Sequence, residues 1–170
     1  MADLATRTAP VPAEPASFDG VTIALGAPLA RYSLRARDGA LLGKLLGRKL
    51  PGKIGQTSDD VLCLGPDEWL LRVPAGTAVP HGEGQPLAVV DISERALTLV
   101  LEGPRALDVL QAGCPRDLGK LPVGEGRRTV FEGVEIVLLR TGEDRFEVDV
   151  WRSFAEWLHL ALTTAASHLR

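Results

Sequence analysis

The stretch from residue 127 to residue 151 limits the architectures open to this chain more than any other. Residues 127–131, 134–140 and 145–151 are runs of strand-forming character separated by Glu132-Gly133 and by Thr141-Gly142-Glu143-Asp144. Short Gly-containing breaks of this kind reverse the chain tightly, so three consecutive strands are predicted to run antiparallel. In the last of them Phe146, Val148 and Val150 alternate with Glu147, Asp149 and Trp151, which gives one apolar face and one polar face. The apolar face needs a cover, and the chain supplies one directly downstream. Phe154, Trp157, Leu158, Ala161, Leu162 and Ala165 recur at helical spacing behind Ser153, a plausible N-cap, and on this pattern Trp157 belongs to the core.

The same logic extends upstream. Leu97, Leu99 and Leu101 alternate with Thr98, Val100 and Glu102 as in a half-buried strand, and residues 87–92 read as its partner. Gly103-Pro104 opens a helix in which Leu107 and Leu110 face inward and Gly113 suits the C-terminal cap. Residues 61–64 and 69–73 form a hairpin about Gly65-Pro66-Asp67-Glu68. Residues 30–37 read as a strand, and residues 40–50 as a helix with Leu41, Leu42, Leu45 and Leu46 on one side. Residues 77–85 lack periodicity and are expected to form an exposed loop dividing two halves. Residues 1–17 are rich in Ala and Pro, too poor in bulky apolar side chains to offset their ordering entropy, and are expected to be a flexible arm. Residues 18–170 are then a single α+β domain: a mainly antiparallel sheet with helices on one face, in a split βαβ arrangement.

Composition sets the function classes. With 45% hydrophobic residues in 170, the chain can bury a real core. Its 19 basic and 22 acidic side chains give a net charge of -3 with no basic run, so no nucleic acid is expected as a partner. The N-terminal residues lack the apolar stretch of an export signal, and no apolar run approaches the ~20 residues that span a membrane, so a soluble, cytoplasmic protein is expected. Cys63 and Cys114 are far apart and outside any CxxC pair, and read as buried apolar side chains.

Inspection for chemistry gives no catalytic, cofactor-binding or metal-ligating residue. Residues 39–44, GALLGK, are one residue short of a phosphate loop, and Leu45 stands where a hydroxyl would hold magnesium, so the segment is an ordinary amphipathic helix. Gly124-Glu125-Gly126 lacks a third glycine and precedes a strand. His81, His159 and His168 form no metal-binding spacing, and His159 is read as a solvated histidine, not the partner of Asp149 or Glu156. Asp91 and Ser93 are read as turn formers whose side chains bond nearby backbone amides. Trp151 is the distinctive residue. It lies on the polar face of its strand, so either a partner covers its ring or the last helix folds back over it.

Taken together, Leu64-Gly65-Pro66-Asp67-Glu68-Trp69-Leu70-Leu71, Val90-Asp91-Ile92-Ser93-Glu94-Arg95, Glu102-Gly103-Pro104-Arg105-Ala106, Ala112-Gly113-Cys114-Pro115-Arg116-Asp117-Leu118 and Val150-Trp151-Arg152-Ser153-Phe154 resemble the gamma subunit family of heterotetrameric sarcosine oxidase. The resemblance runs from about residue 30 to the last helix. It implies a bacterial complex of alpha, beta, gamma and delta subunits that demethylates sarcosine to glycine and passes the one-carbon unit to tetrahydrofolate. It also implies a fold similar to the folate-binding domain of aminomethyltransferase. FAD, FMN, NAD and tetrahydrofolate would belong to the partner subunits and none to this chain. The expected role is assembly on the alpha subunit, and through it on beta and delta, by a surface including Trp151 and Arg152. The alternatives are a stand-alone folate or one-carbon-carrier module and an independent one-carbon-transfer enzyme.

Overall fold

The structure, a computed structural model, describes residues 10–169. Strand parity organises it. On the strand Arg145–Trp151 (β11), Phe146, Val148 and Val150 join a core beneath helices, while Glu147 and Asp149 turn toward a second sheet. On Leu29–Ala36 (β3), Ala30, Tyr32, Leu34 and Ala36 face that second sheet's own helix, and Arg31 faces back toward β11. Every second residue is thus committed to a helix side or to the space between two sheets.

The larger sheet contains Ala16–Phe18 (β1), Val21–Leu25 (β2), Ala96–Glu102 (β8), Gly126–Phe131 (β9), Val134–Gly142 (β10) and β11, in the order β1-β2-β8-β11-β10-β9. The smaller contains β3, Thr57–Ser58 (β4), Val61–Gly65 (β5), Glu68–Pro74 (β6) and Leu87–Asp91 (β7), in the order β4-β5-β6-β3-β7. All neighbours are antiparallel, so β3 is parallel to β5 with β6 between them, and β8 is parallel to β10 with β11 between them. Each sheet therefore holds one split βαβ unit. Its crossover helix is Gly39–Leu46 (α1) in the smaller sheet and Ala106–Gly113 (α2) in the larger. Ala155–His168 (α3) packs beside α2. The α+β class and the helices on one face of each sheet agree with the sequence reading, with two sheets where one was expected.

The two halves exchange strands. β2 precedes the first unit but pairs with β8 of the second, whereas β7 precedes the second but pairs with β3 of the first. The expected pairing of β7 with β8 is therefore incorrect. A 3-10 turn at Ser93–Arg95 carries the chain from one sheet to the other instead. Residues 77–85 form the expected loop.

Several local expectations shift. Met1 to Ala9 of the expected arm lie outside the described residues, but Val11 is only 6% exposed and joins the helix-side core, and Ala16–Phe18 forms β1. Residues before Phe18 thus contribute to the core and to the sheet edge. Helix α1 ends at Leu46, with Gly47 left-handed at φ 62 and Asp38 Oδ1 accepting from Ala40 N at 2.9 Å. Gly113 is the last helical residue of α2, not its left-handed cap. A Cβ there would stand 2.7 Å from the ring of Phe131, so close packing requires the glycine. On α3 the buried set is Ala155, Leu158, Leu162 and Ala166, and Ser153 makes no capping bond. Trp157 is 41% exposed and is not core. The buried stripe is rotated so that Ala155, Leu158, Leu162 and Ala166, not the aromatics, approach the sheet.

Candidate functional site

The space between the sheets carries charge. Arg31 comes from β3, Arg72 from β6, Thr98 from β8, and Glu147 and Asp149 from β11. Arg31 and Arg72 are cross-strand neighbours in one sheet, and Thr98 and Asp149 are cross-strand neighbours in the other, so the cluster joins equivalent positions of the two split units. Arg31 Nε donates to Asp149 Oδ2 and its Nη2 to Asp149 Oδ1, each at 3.2 Å. Thr98 Oγ1 donates to Asp149 Oδ1 at 2.6 Å. Arg72 Nη2 donates to Glu147 Oε2 at 2.8 Å, and its Nε lies 2.9 Å from Asp149 Oδ2 without hydrogen-bond alignment. Burial works against the charge of Arg72, but Asp149 and Glu147 outweigh it, so its pKa lies above the ordinary arginine value. Thr98, placed by alternation on a half-buried strand's outer face, is in fact buried beneath the second sheet.

Beside this layer a cavity of about 220 Å³ opens, walled by Leu64, Leu70, Ile92 and Val137 and bordered by Trp151 and Arg95. Glu68 also lines it. The Arg128 guanidinium, which donates to both Glu68 oxygens, holds that carboxyl below its usual range, and Arg35 adds to the effect. Of the acids that line the cavity, Glu68 pairs with Arg35 and Arg128 and Asp149 with Arg31 and Arg72, while Glu135 forms no ion pair among the described residues. The Glu68 carboxylate, so held, is a poor proton acceptor near neutral pH.

At the open end of the larger sheet, Trp151 ends β11 opposite Ala96, the first residue of β8. The ring of Trp151 is 48% exposed. Of the two covers considered for it, α3 is excluded, because α3 packs on the opposite face of the sheet. The guanidinium of Arg95 instead stacks over the ring, 4.8 Å from its centroid. Arg152 begins a 3-10 turn, Arg152–Phe154, and its side chain makes no hydrogen bond or ion pair among the described residues.

The remaining singled-out residues are structural. Asp91 Oδ1 accepts from Ser93 N at 2.8 Å and from Ser93 Oγ at 2.5 Å, which lowers the Asp91 pKa. Ser93 Oγ in turn accepts from Arg31 N at 2.9 Å, so the turn-forming reading holds and also ties the turn to β3. His81 lies in its loop with Nδ1 3.2 Å from the Val89 carbonyl oxygen. His159, on α3, lies across the sheet from Asp149, and burial lowers its pKa. Cys63 and Cys114 are buried and free, and burial pushes the Cys63 thiol up. No group of His, Cys, Asp and Glu suited to a metal ion occurs among the described residues, and none of their helices is long and apolar enough to cross a membrane.

Residues 40–168 match the profile of the "Sarcosine oxidase, gamma subunit family". The chain belongs to this family. A sarcosine oxidase subunit gamma of Arthrobacter sp. is 36% identical over 145 residues, which are 75% of this chain and 71% of that one. The solved heterotetrameric sarcosine oxidase from Corynebacterium sp. U-96, in complex with pyrrole 2-carboxylate, includes a chain that superposes on this gamma-family member with TM-score 0.83. That chain is 33% identical, and the match covers 91% of this chain and 88% of that one. A glycine cleavage system aminomethyltransferase T from Bartonella henselae shares the fold, with TM-score 0.62 and 19% identity over 84% of this chain and 45% of that one. The segments quoted from sequence fall on the β5–β6 hairpin, the inter-sheet turn, the start of α2, the end of α2 and the end of β11.

Proposed function

We propose that this chain is the non-catalytic gamma subunit of a heterotetrameric sarcosine oxidase, a bacterial, cytoplasmic assembly that demethylates sarcosine to glycine and passes the one-carbon unit to tetrahydrofolate. On this reading FAD, FMN, NAD and tetrahydrofolate belong to the partner subunits. The task of this chain is assembly, with Trp151 and Arg152 docking on the alpha subunit and through it on beta and delta. The observation that carries the reading is the half-exposed Trp151 ring, which no helix among the described residues covers. Large aromatic side chains left at a surface are favoured interface anchors.

Co-expression tests it. An assembly lacking this chain should form poorly or turn sarcosine over more slowly, and Trp151→Ala should weaken docking by more than ~1 kcal/mol. An alpha–beta–delta enzyme that assembles and works identically without the chain would contradict the reading. The competing reading, a stand-alone folate or one-carbon-carrier module, draws on the inter-sheet cavity. At about 220 Å³ that cavity is smaller than the ~300–1,000 Å³ of ordinary ligand pockets. Binding heat on titrating the isolated chain with tetrahydrofolate would favour the carrier reading.

A further inference from the structure

We propose that the outward row of α3, Trp157, Leu160, Ala161 and Thr164, seats in an apolar, uncharged groove of the assembling partner. This deepens the assembly reading and rests on it.

The row follows from helix geometry. Ala155, Leu158, Leu162 and Ala166 are buried against the larger sheet, and at 3.6 residues per turn Trp157 and Leu160 stand on the opposite side of the helix. Trp157, Leu160, Ala161 and Thr164 are spaced i, i+3, i+4 and i+7, the set by which a helix engages a groove. Phe154, the residue before α3, adds a third large apolar side chain one turn from Trp157. A helix whose outer side faces water carries charge there. Of the 14 residues of α3, however, only Glu156 is an acid and none is Lys or Arg. Burial lowers the His159 pKa and so keeps that ring neutral near pH 7. Two of the helix's hydroxyls are already satisfied by its own backbone. Thr163 Oγ1 donates to the Leu160 carbonyl at 2.9 Å and Ser167 Oγ to the Thr164 carbonyl at 2.8 Å, so covering them strands no donor.

Area and charge choose the occupant. Phe154, Trp157 and Leu160 are 46%, 41% and 65% exposed, which leaves roughly 300 Å² of apolar surface between them. Two copies meeting through this row would bury about 600 Å² in all, short of the ~1,000 Å² that a specific interface requires, whereas a groove covers the flanks of the helix as well. A lipid surface is disfavoured, because an interfacial helix relies on Lys and Arg along its polar side and α3 has neither.

The experiment uses the co-expressed complex. Hydroxyl-radical footprinting compares the native chain alone and in the complex. A sizing column then reads the fraction of the chain retained for the native chain, Trp157→Gln/Leu160→Gln, Glu156→Gln and Trp151→Ala at low and high sodium chloride, with thermal melts of the isolated chains as the check on folding. The proposal expects Phe154 and Trp157 to lose most of their labelling on assembly. It expects the double variant to melt like the native chain and to lose retention at least about tenfold, equally at high salt, since apolar contacts are not screened. Glu156→Gln should be retained like the native chain. If the double variant melts low, the footprint decides. Full retention of a folded double variant, or equal labelling of Trp157 in the free and assembled chain, overturns the groove, and release by Trp151→Ala in the same series leaves the assembly reading standing. A native chain that never enters the complex overturns both. A native dimer broken by the double variant identifies a second copy as the occupant and overturns the proposal, as does co-sedimentation with phosphatidylserine–phosphatidylcholine vesicles that the double variant abolishes.

Discussion

Removing the carboxylate at the centre of the inter-sheet layer is the most discriminating test of how the two sheets are held. Among the described residues, Asp149 alone contacts Arg31, Arg72 and Thr98 at once. In Asp149→Ala the side chain of Arg31, 3% exposed, keeps only carbonyl acceptors at Leu29 and Ala96 and the hydroxyl of Thr98, with no counter-charge. Breaking a buried pair on one side costs about 3–5 kcal/mol because a charge is left uncompensated. For a chain of this size each kcal/mol lowers Tm by about 2–4 °C, so a fall of about 6–20 °C is expected. Urea denaturation followed by tryptophan fluorescence should show a lower midpoint at unchanged slope. Two companions sharpen the test. Glu102→Ala, which removes a surface bridge to Arg145 whose partners are 62% and 40% exposed, should cost less than about 1 kcal/mol. Arg31→Met/Asp149→Leu should be milder than Asp149→Ala alone, because Arg72 keeps Glu147 at 2.8 Å and no lone charge remains on β3. An Asp149→Ala variant within about 1 kcal/mol of the native chain would refute the assignment of this layer as the electrostatic clamp between the sheets.

Other outcomes follow from the same geometry. Gly113→Ala should destabilise by about 1–3 kcal/mol, read from the same denaturation curves, because its Cβ would press on the buried ring of Phe131. The Glu68 carboxyl is lowered in the fold by Arg128 and Arg35, so its contribution is complete above the ordinary carboxylate range and is lost as pH falls through the depressed value. Glu68→Gln should therefore flatten the acid limb of the stability–pH profile. Protease nicking within residues 77–85 should leave two fragments that elute together in native buffer, since β2 pairs with β8 and β7 with β3 across the cut; fragments that separate would contradict the exchanged-strand topology.

Much of this fold was legible because parity and turn chemistry are local. The meander β9–β10–β11 and the β5–β6 hairpin follow from apolar alternation and Gly-containing breaks. The pairing of β7 was not legible, because sequence adjacency to β8 suggests a hairpin and only the long-range ladder to β3 places it. The same limit hid the charged layer. Thr98, Glu147 and Asp149 read as a solvent face, since one strand's alternation does not reveal that a second sheet covers its polar side. The available signal was Arg31 and Arg72, charges set between apolar residues of β3 and β6 at positions left over by the core. Trp157 was misassigned because helical spacing fits two neighbouring stripes, and the buried one runs through Ala155, Leu158, Leu162 and Ala166. Trp151 fared better: its side of the strand was readable, and its neighbour Arg95 came only with the fold.

The central claim is that this gamma-family chain works as a docked subunit, and native mass spectrometry of a complex captured through a tag on this chain tests it most directly. The account predicts that the 18.1 kDa chain is found in stoichiometric association with sarcosine oxidase alpha, beta and delta subunits, identified by their peptides, that sarcosine oxidation co-elutes, and that Trp151→Ala loses both. Recovery of the chain alone from cells that contain an intact, active oxidase would contradict it.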